Sequence, residues 1–158
     1  MSHHNRSDQE LRNVTIFLGA DHAGFSLKEK LKIFLEERGW KFEDFGAYEL
    51  DDEDDYNDFV EPVAKAVSET PGARGIVIGA SGQGEAMLSN RFANVRAAVY
   101  YGGTLEIVRK SREHNDSNIL ALGARFVSVE DALSAVEVWL ATPCLDDEKY
   151  ERRIQKMG

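Results

Sequence analysis

Five short apolar runs, each followed by a segment with helical spacing, limit what this chain can fold into. The first run is Val14-Thr15-Ile16-Phe17-Leu18-Gly19, and the pattern Leu27, Leu31, Phe34, Leu35 follows it. Arg38-Gly39 supplies a basic residue and a glycine suited to a left-handed helix end, before a second strand from Trp40 to Phe45. Phe59, Val63, Ala64 and Val67 recur at helical spacing, and Pro71-Gly72 breaks the chain ahead of Gly75-Ile76-Val77-Ile78. That continuous apolar run is typical of a parallel strand buried on both faces. A helix over 84–92, a strand over 95–100, a helix over 105–112, a strand over 119–122 and a helix over 129–140 complete the series.

Such alternation implies an α/β fold: a three-layer, Rossmann-like sandwich with a five-stranded parallel sheet and helices on both faces. The expected strand order is 2-1-3-4-5. It sets the first and third strands side by side at the switch point, so the loops after Gly19 and Ile78 share a crevice. One domain is expected over 14–158, with residues 1–13 as a polar leader outside the fold. His3 and His4 fall in that leader. The charged segment 145–157 has only Tyr150, Ile154 and Met157 along one helical face, and a tail of this kind packs on a partner subunit or lies on the surface.

The formal charge of −9 argues against nucleic-acid and anionic-membrane partners, which reward clustered Lys and Arg. No stretch approaches the roughly 20 apolar residues of a membrane helix. Cys144 is the single cysteine, which excludes an internal disulfide and fits a reducing, cytoplasmic setting. Glu49, Asp51, Asp52, Glu53, Asp54, Asp55 and Asp58 crowd one loop, read as solvated surface in preference to a metal site.

Gly79-Ala80-Ser81-Gly82-Gln83-Gly84-Glu85 directly follows the third strand, and its glycines allow several backbone N–H groups to line one concavity suited to an anion. The spacing matches neither the P-loop nor the dinucleotide fingerprint, which disfavours ATP and NAD. Glu85 either serves the positive end of the following helix or acts beside that concavity. Asp21-His22 brings two titratable groups to the same rim, and His114-Asn115 precedes the fifth strand. An imidazole, a carboxylate, an anion nest and basic residues suit proton abstraction next to a carbonyl, with no redox or metal cofactor.

Across nearly the whole chain these residues resemble the ribose-5-phosphate isomerase B family, which also includes allose- and galactose-6-phosphate isomerases. The resemblance lies in Asp21-His22-Ala23-Gly24 with Leu27-Lys28, Asp55-Tyr56 with Asp58, Gly79 to Glu85, Asn90-Arg91, Val95-Arg96-Ala97, His114 to Asn118 and Leu122-Gly123-Ala124-Arg125. Many members carry a catalytic cysteine in a Cys-Gly-Thr-Gly pattern where this chain has Gly79-Ala80-Ser81-Gly82. A second branch uses a glutamate in a Gly-Glu pair, which Gly84-Glu85 resembles. In the tail, Lys149 and Arg153 stand at the family's phosphate-binding basic positions.

The resemblance implies reversible aldose–ketose isomerisation, ribose 5-phosphate to ribulose 5-phosphate, through a cis-enediolate with Glu85 as base. Asp21 and His114 would open the sugar ring, and Ser81 would hold a hydroxyl. Gly82, Gln83, Gly84 and Asn115 would stabilise the enediolate, with Tyr56 beside the sugar. His22, Arg125, Lys149 and Arg153 would hold the phosphate, the last two reaching across from a partner in a homodimer or dimer of dimers. A six-carbon phosphate isomerase and a catalytically silent sugar-phosphate binder are the alternatives.

Overall fold

The computed structural model describes residues 13–158, so the leader lies almost wholly outside the described residues. Five strands, β1 (Thr15–Ala20), β2 (Lys41–Asp44), β3 (Arg74–Gly79), β4 (Ala97–Tyr100) and β5 (Ile119–Gly123), form one parallel sheet in the order β2-β1-β3-β5-β4. Six helices accompany them among the described residues: α1 (Phe25–Glu37), α2 (Asn57–Glu69), α3 (Gln83–Ser89), α4 (Glu106–Asn115), α5 (Val129–Ala141) and α6 (Glu148–Met157). None is long and apolar enough to cross a membrane.

Strand side chains alternate between faces, and the two cores follow that alternation. Ile16, Leu18, Ile76, Ile78, Leu120 and Leu122 pack with α1, α4 and α5. Phe17, Val77, Ile119 and Ala121 face α2 and α3. Because both faces are covered, β3 after Arg74 and the whole of β5 are apolar, with every residue of β5 buried.

The three-layer α/β fold expected from the pattern is present, but the order of the last two strands is corrected. β5, not β4, lies beside β3, pairing Gly75 with Ile119 through Gly79 with Gly123. Burial explains the difference. Ile119-Leu120-Ala121-Leu122-Gly123 needs cover on both faces, whereas Ala97-Ala98-Val99 remains half-exposed and suits an edge. The switch point between β1 and β3 is unaffected.

α3 stops earlier than its apolar pattern implies because Asn90 leaves the helix to pair with the edge strand. Its Oδ1 accepts the Ala97 N–H (2.8 Å) and its Nδ2 donates to the Ala97 carbonyl (3.2 Å). α6 has no buried residue.

Candidate active site

The carboxyl edge of the sheet is assembled by close backbone approaches. Asp21 closes the turn after β1: its Oδ1 accepts the N–H groups of Ala23 (3.0 Å) and Gly24 (3.3 Å), leaving the residue 7 % exposed. A Cβ at Gly24 would lie 2.5 Å from the Ile78 carbonyl oxygen, so glycine lets the start of α1 press against the end of β3. The loop after β5 is strapped to the same place, since Ala124 N–H donates to Gly79 O (2.8 Å) and Arg125 N–H to Ala80 O (3.0 Å). The exposed side chain of Arg125 therefore starts at the rim of the crevice.

Within the glycine-rich turn, Gly82 takes φ +77°, a left-handed conformation that lets α3 begin at once. Ser81 Oγ accepts the Gln83 N–H at 3.3 Å. Glu85, in the first turn of α3, is 4 % exposed, and its carboxylate overlies Gly79, where a Cβ would collide with Oε1. Tyr56 closes the other side, its hydroxyl 2.8 Å from where a Gly84 Cβ would stand. Burial pushes the Glu85 carboxyl above its ordinary value; a backbone N–H opposes this, and the Asp21 charge adds to it.

His22 is held by a residue from the acidic loop. Asp54 Oδ1 accepts both the imidazole Nδ1–H (2.7 Å) and the His22 backbone N–H (3.0 Å). The expectation that this loop is solvated surface holds for exposed Asp51, Asp52 and Glu53, but not for Asp54, whose side chain is 8 % exposed. Asp21, His22 and Asp54 set donor atoms within 4.8 Å of one another, and the carboxylate–imidazole bond accounts for that proximity.

A second group of candidates lies at the opposite, amino edge. His114 and Asn115 end α4, immediately ahead of β5, where the Asn118 carbonyl accepts the N–H of Gly75 at the start of β3. The five residues of β5 separate them from the crevice by roughly 15 Å. The His114 ring stacks on Tyr150 of α6, with centroids 4.4 Å apart and planes at 17°. Lys149 Nζ stands 5.0 Å from the same tyrosine centroid, and Arg153 follows one helical turn on. Asn115 also lines an amino-edge groove of about 640 Å³ with Arg91, Arg96 and Met157. One chain thus brings together Asp21, His22, Tyr56, Ser81 to Glu85 and Arg125, and separately His114, Asn115, Lys149 and Arg153.

Sequence reasoning missed two supporting residues besides Asp54. Lys28 is fully buried, and its Nζ donates to both Asp44 oxygens (2.7 and 2.8 Å) and to the Ala47 carbonyl (2.7 Å). Asp44 Oδ1 also accepts the Gly46 N–H (2.8 Å), and Gly46 and Ala47 bond to Ala20. This pair anchors the loop after β2 beside the end of β1. Its signal was a lysine on the buried face of α1 beside Leu27 and Leu31, and an acid at the end of a strand.

The family model described as Ribose/Galactose Isomerase matches residues 16–157. The chain belongs to this family. By that membership it is an aldose–ketose isomerase. Its relatives include ribose-5-phosphate isomerase B of Mycolicibacterium paratuberculosis, 35% identical over 89% of this chain and 87% of the relative. Among solved structures, ribose-5-phosphate isomerase B of Clostridium thermocellum is 39% identical with a TM-score of 0.85, covering 92% of this chain and 95% of the other. That of Mycoplasma genitalium, solved with bound ribulose-5-phosphate, is 29% identical with a TM-score of 0.86, covering 92% and 94%.

Proposed function

We propose that this isomerase interconverts ribose 5-phosphate and ribulose 5-phosphate through a cis-enediolate, with Glu85 as the base. The observation that carries this reading is the buried Glu85 carboxylate over Gly79, at the edge where β1 and β3 end. Solved relatives that bear the ribose-5-phosphate isomerase name, one with ribulose-5-phosphate bound, support the choice of a pentose phosphate.

In the open-chain aldose, the ionised Glu85 takes the C2 proton and the C1 carbonyl oxygen gains a proton, giving the enediol(ate). Glu85 returns its proton to C1 while the C2 hydroxyl loses one to become the ketone, so the step is redox-neutral overall. A carboxylate raised toward working pH is a stronger base than an exposed one, which suits a weakly acidic C–H. Ser81 and the Gly82 to Gly84 backbone stand beside Glu85, where charge develops on the enediolate. Asp21, against the same carboxylate, exchanges a proton with the sugar ring on opening.

His114, Asn115, Lys149 and Arg153 serve a second copy of the chain, whose carboxyl edge their amino-edge group completes. His22 and Arg125 meet the phosphate from one copy; Lys149 and Arg153 meet it from the other.

The test is exchange of the substrate C2 proton with solvent deuterium, followed by NMR. The wild-type chain should exchange and interconvert the two pentose phosphates, and Glu85→Gln should bind them while losing both processes. Exchange at the wild-type rate in Glu85→Gln would remove Glu85 from the role. Turnover of hexose 6-phosphates alone would overturn the substrate.

A further inference from the structure

We propose that Asp54 is a positioning residue for His22: its carboxylate fixes the imidazole with Nδ1 as donor and presents Nε2 to the anionic group of the substrate. This rests on the reading of His22 as a phosphate contact.

The geometry has two parts. One oxygen, Asp54 Oδ1, accepts from both the ring and the backbone of His22, at 2.7 and 3.0 Å, so ring orientation and chain position are set together. A carboxylate only accepts, so the Nδ1 proton belongs to the bond and Nε2 is left on the opposite edge of the ring. The histidine side chain is 27 % exposed and the aspartate 8 %, so solvent and substrate reach the imidazole on its side away from Asp54.

Asp54 Oδ2 is buried and has no hydrogen-bond partner among the described residues. A carboxylate in that state is costly unless a cation answers it, and the protonated form of His22 supplies one. The hydrogen bond that the His22 ring donates to Asp54 raises the His22 pKa above 6.5; burial opposes it, and the charges of Asp21, Asp54 and Asp52 add to it. Asp21 comes from the end of β1, and Asp52 and Asp54 from the loop after β2. A dianionic phosphate entering a crevice lined by Asp21, Asp54 and Glu85 needs that positive edge. Without the pairing, His22 would lose its charge near neutrality and Asp54 would repel the ligand.

The experiment follows the His22 ring nitrogens by NMR, with and without inorganic phosphate, and measures kcat and KM for ribose 5-phosphate at pH 6 and pH 8. The wild-type ring should titrate above 6.5 and hold its neutral form as the Nδ1–H tautomer. Asp54→Asn should bring the midpoint down and raise KM at pH 8 by about tenfold, with a smaller change at pH 6 and kcat within about twofold. Asp54→Glu should restore part of the loss, and Asp52→Asn, without a bond to the ring, should shift the midpoint much less. An Nε2–H tautomer in the wild type would overturn the proposal, and this needs no variant to fold. So would an unchanged midpoint in Asp54→Asn, equal shifts in Asp52→Asn and Asp54→Asn, or a fall in kcat at constant KM. The ring titration and phosphate binding are read without turnover, so failure of the substrate reading is seen separately, as wild-type protein inactive on ribose 5-phosphate.

Discussion

The carboxylate of Glu85 fills the space above Gly79 that any side chain there would need. The two positions are therefore exclusive, and the resemblance to the family makes sense of this. Where many members carry the cysteine base at the end of the third strand, this chain has Gly79, and its acid enters the same space from α3. Gly79→Ala should leave the fold intact, because the flexible end of Glu85 can swing away, but it should displace the carboxylate proposed as the base. A displacement of about 1 Å can cost on the order of 10²-fold. Steady-state kinetics should show kcat falling by about that factor with thermal unfolding nearly unchanged.

Burial of the Glu85 carboxyl makes both stability and activity depend on pH. Its folded-state pKa is raised above 4.5, chiefly by burial, so the folded state favours the protonated acid. That stability is fully present below the ordinary glutamate value and is lost as pH rises through the folded pKa. Glu85→Gln, which keeps the shape without the charge, should therefore raise Tm by a few degrees at pH 7, and the difference should vanish below pH 4.5. Activity runs the other way, with an acid limb of kcat/KM lying above that pH.

Repetition of β and α patterns made the sandwich legible, because a parallel sheet covered on both faces leaves continuous apolar runs in the chain. The order of β4 and β5 was not legible in the same way. It depends on comparing Ala97-Ala98-Val99 with Ile119-Leu120-Ala121, that is, on which strand finds cover on both faces. Spacing could nominate Asp21, His22 and Glu85 at one rim, since residues just after parallel strands share the carboxyl edge. The same logic places His114 at the opposite edge, because it precedes its strand. Asp54 was hidden in a run of acids, and its partner stands 32 positions away. Composition reports how many charges a loop holds, not which of them turns inward.

Lys28 and Asp44 place a structural prediction beneath the site. Lys28 is fully buried and bonded to both oxygens of Asp44, and Lys32 and the Gly46 amide share that carboxylate. Burial alone would push the Asp44 carboxyl up, but those partners outweigh it and hold it below 3.8. A depressed carboxyl adds stability above its unfolded pKa that is lost as pH falls through the folded one. Lys28→Met should cost roughly 3 kcal/mol in urea unfolding at pH 7, since it removes one side of a buried pair. The deficit should shrink below pH 3.8, where Asp44 is protonated in the unfolded chain.

The separation of Glu85 from His114 within one chain leads to a test of assembly. Each copy offers one complete carboxyl-edge group, with Asp21, His22 and Glu85, and one amino-edge group, with His114, Lys149 and Arg153. If a two-fold dimer joins unlike edges, Glu85→Gln and His114→Ala each disable both sites of their own homodimer. In a mixed dimer, one site receives both defects and the other receives none. Random exchange after mild unfolding of an equal mixture gives half mixed dimers, each with one intact site, so the mixture should recover roughly a quarter of wild-type turnover. Glu85→Gln mixed with Asp21→Asn should recover nothing, because both changes fall in the same carboxyl-edge group and every site keeps one of them. Recovery in that second mixture, or its absence in the first, would mean that the catalytic groups meet in some other way.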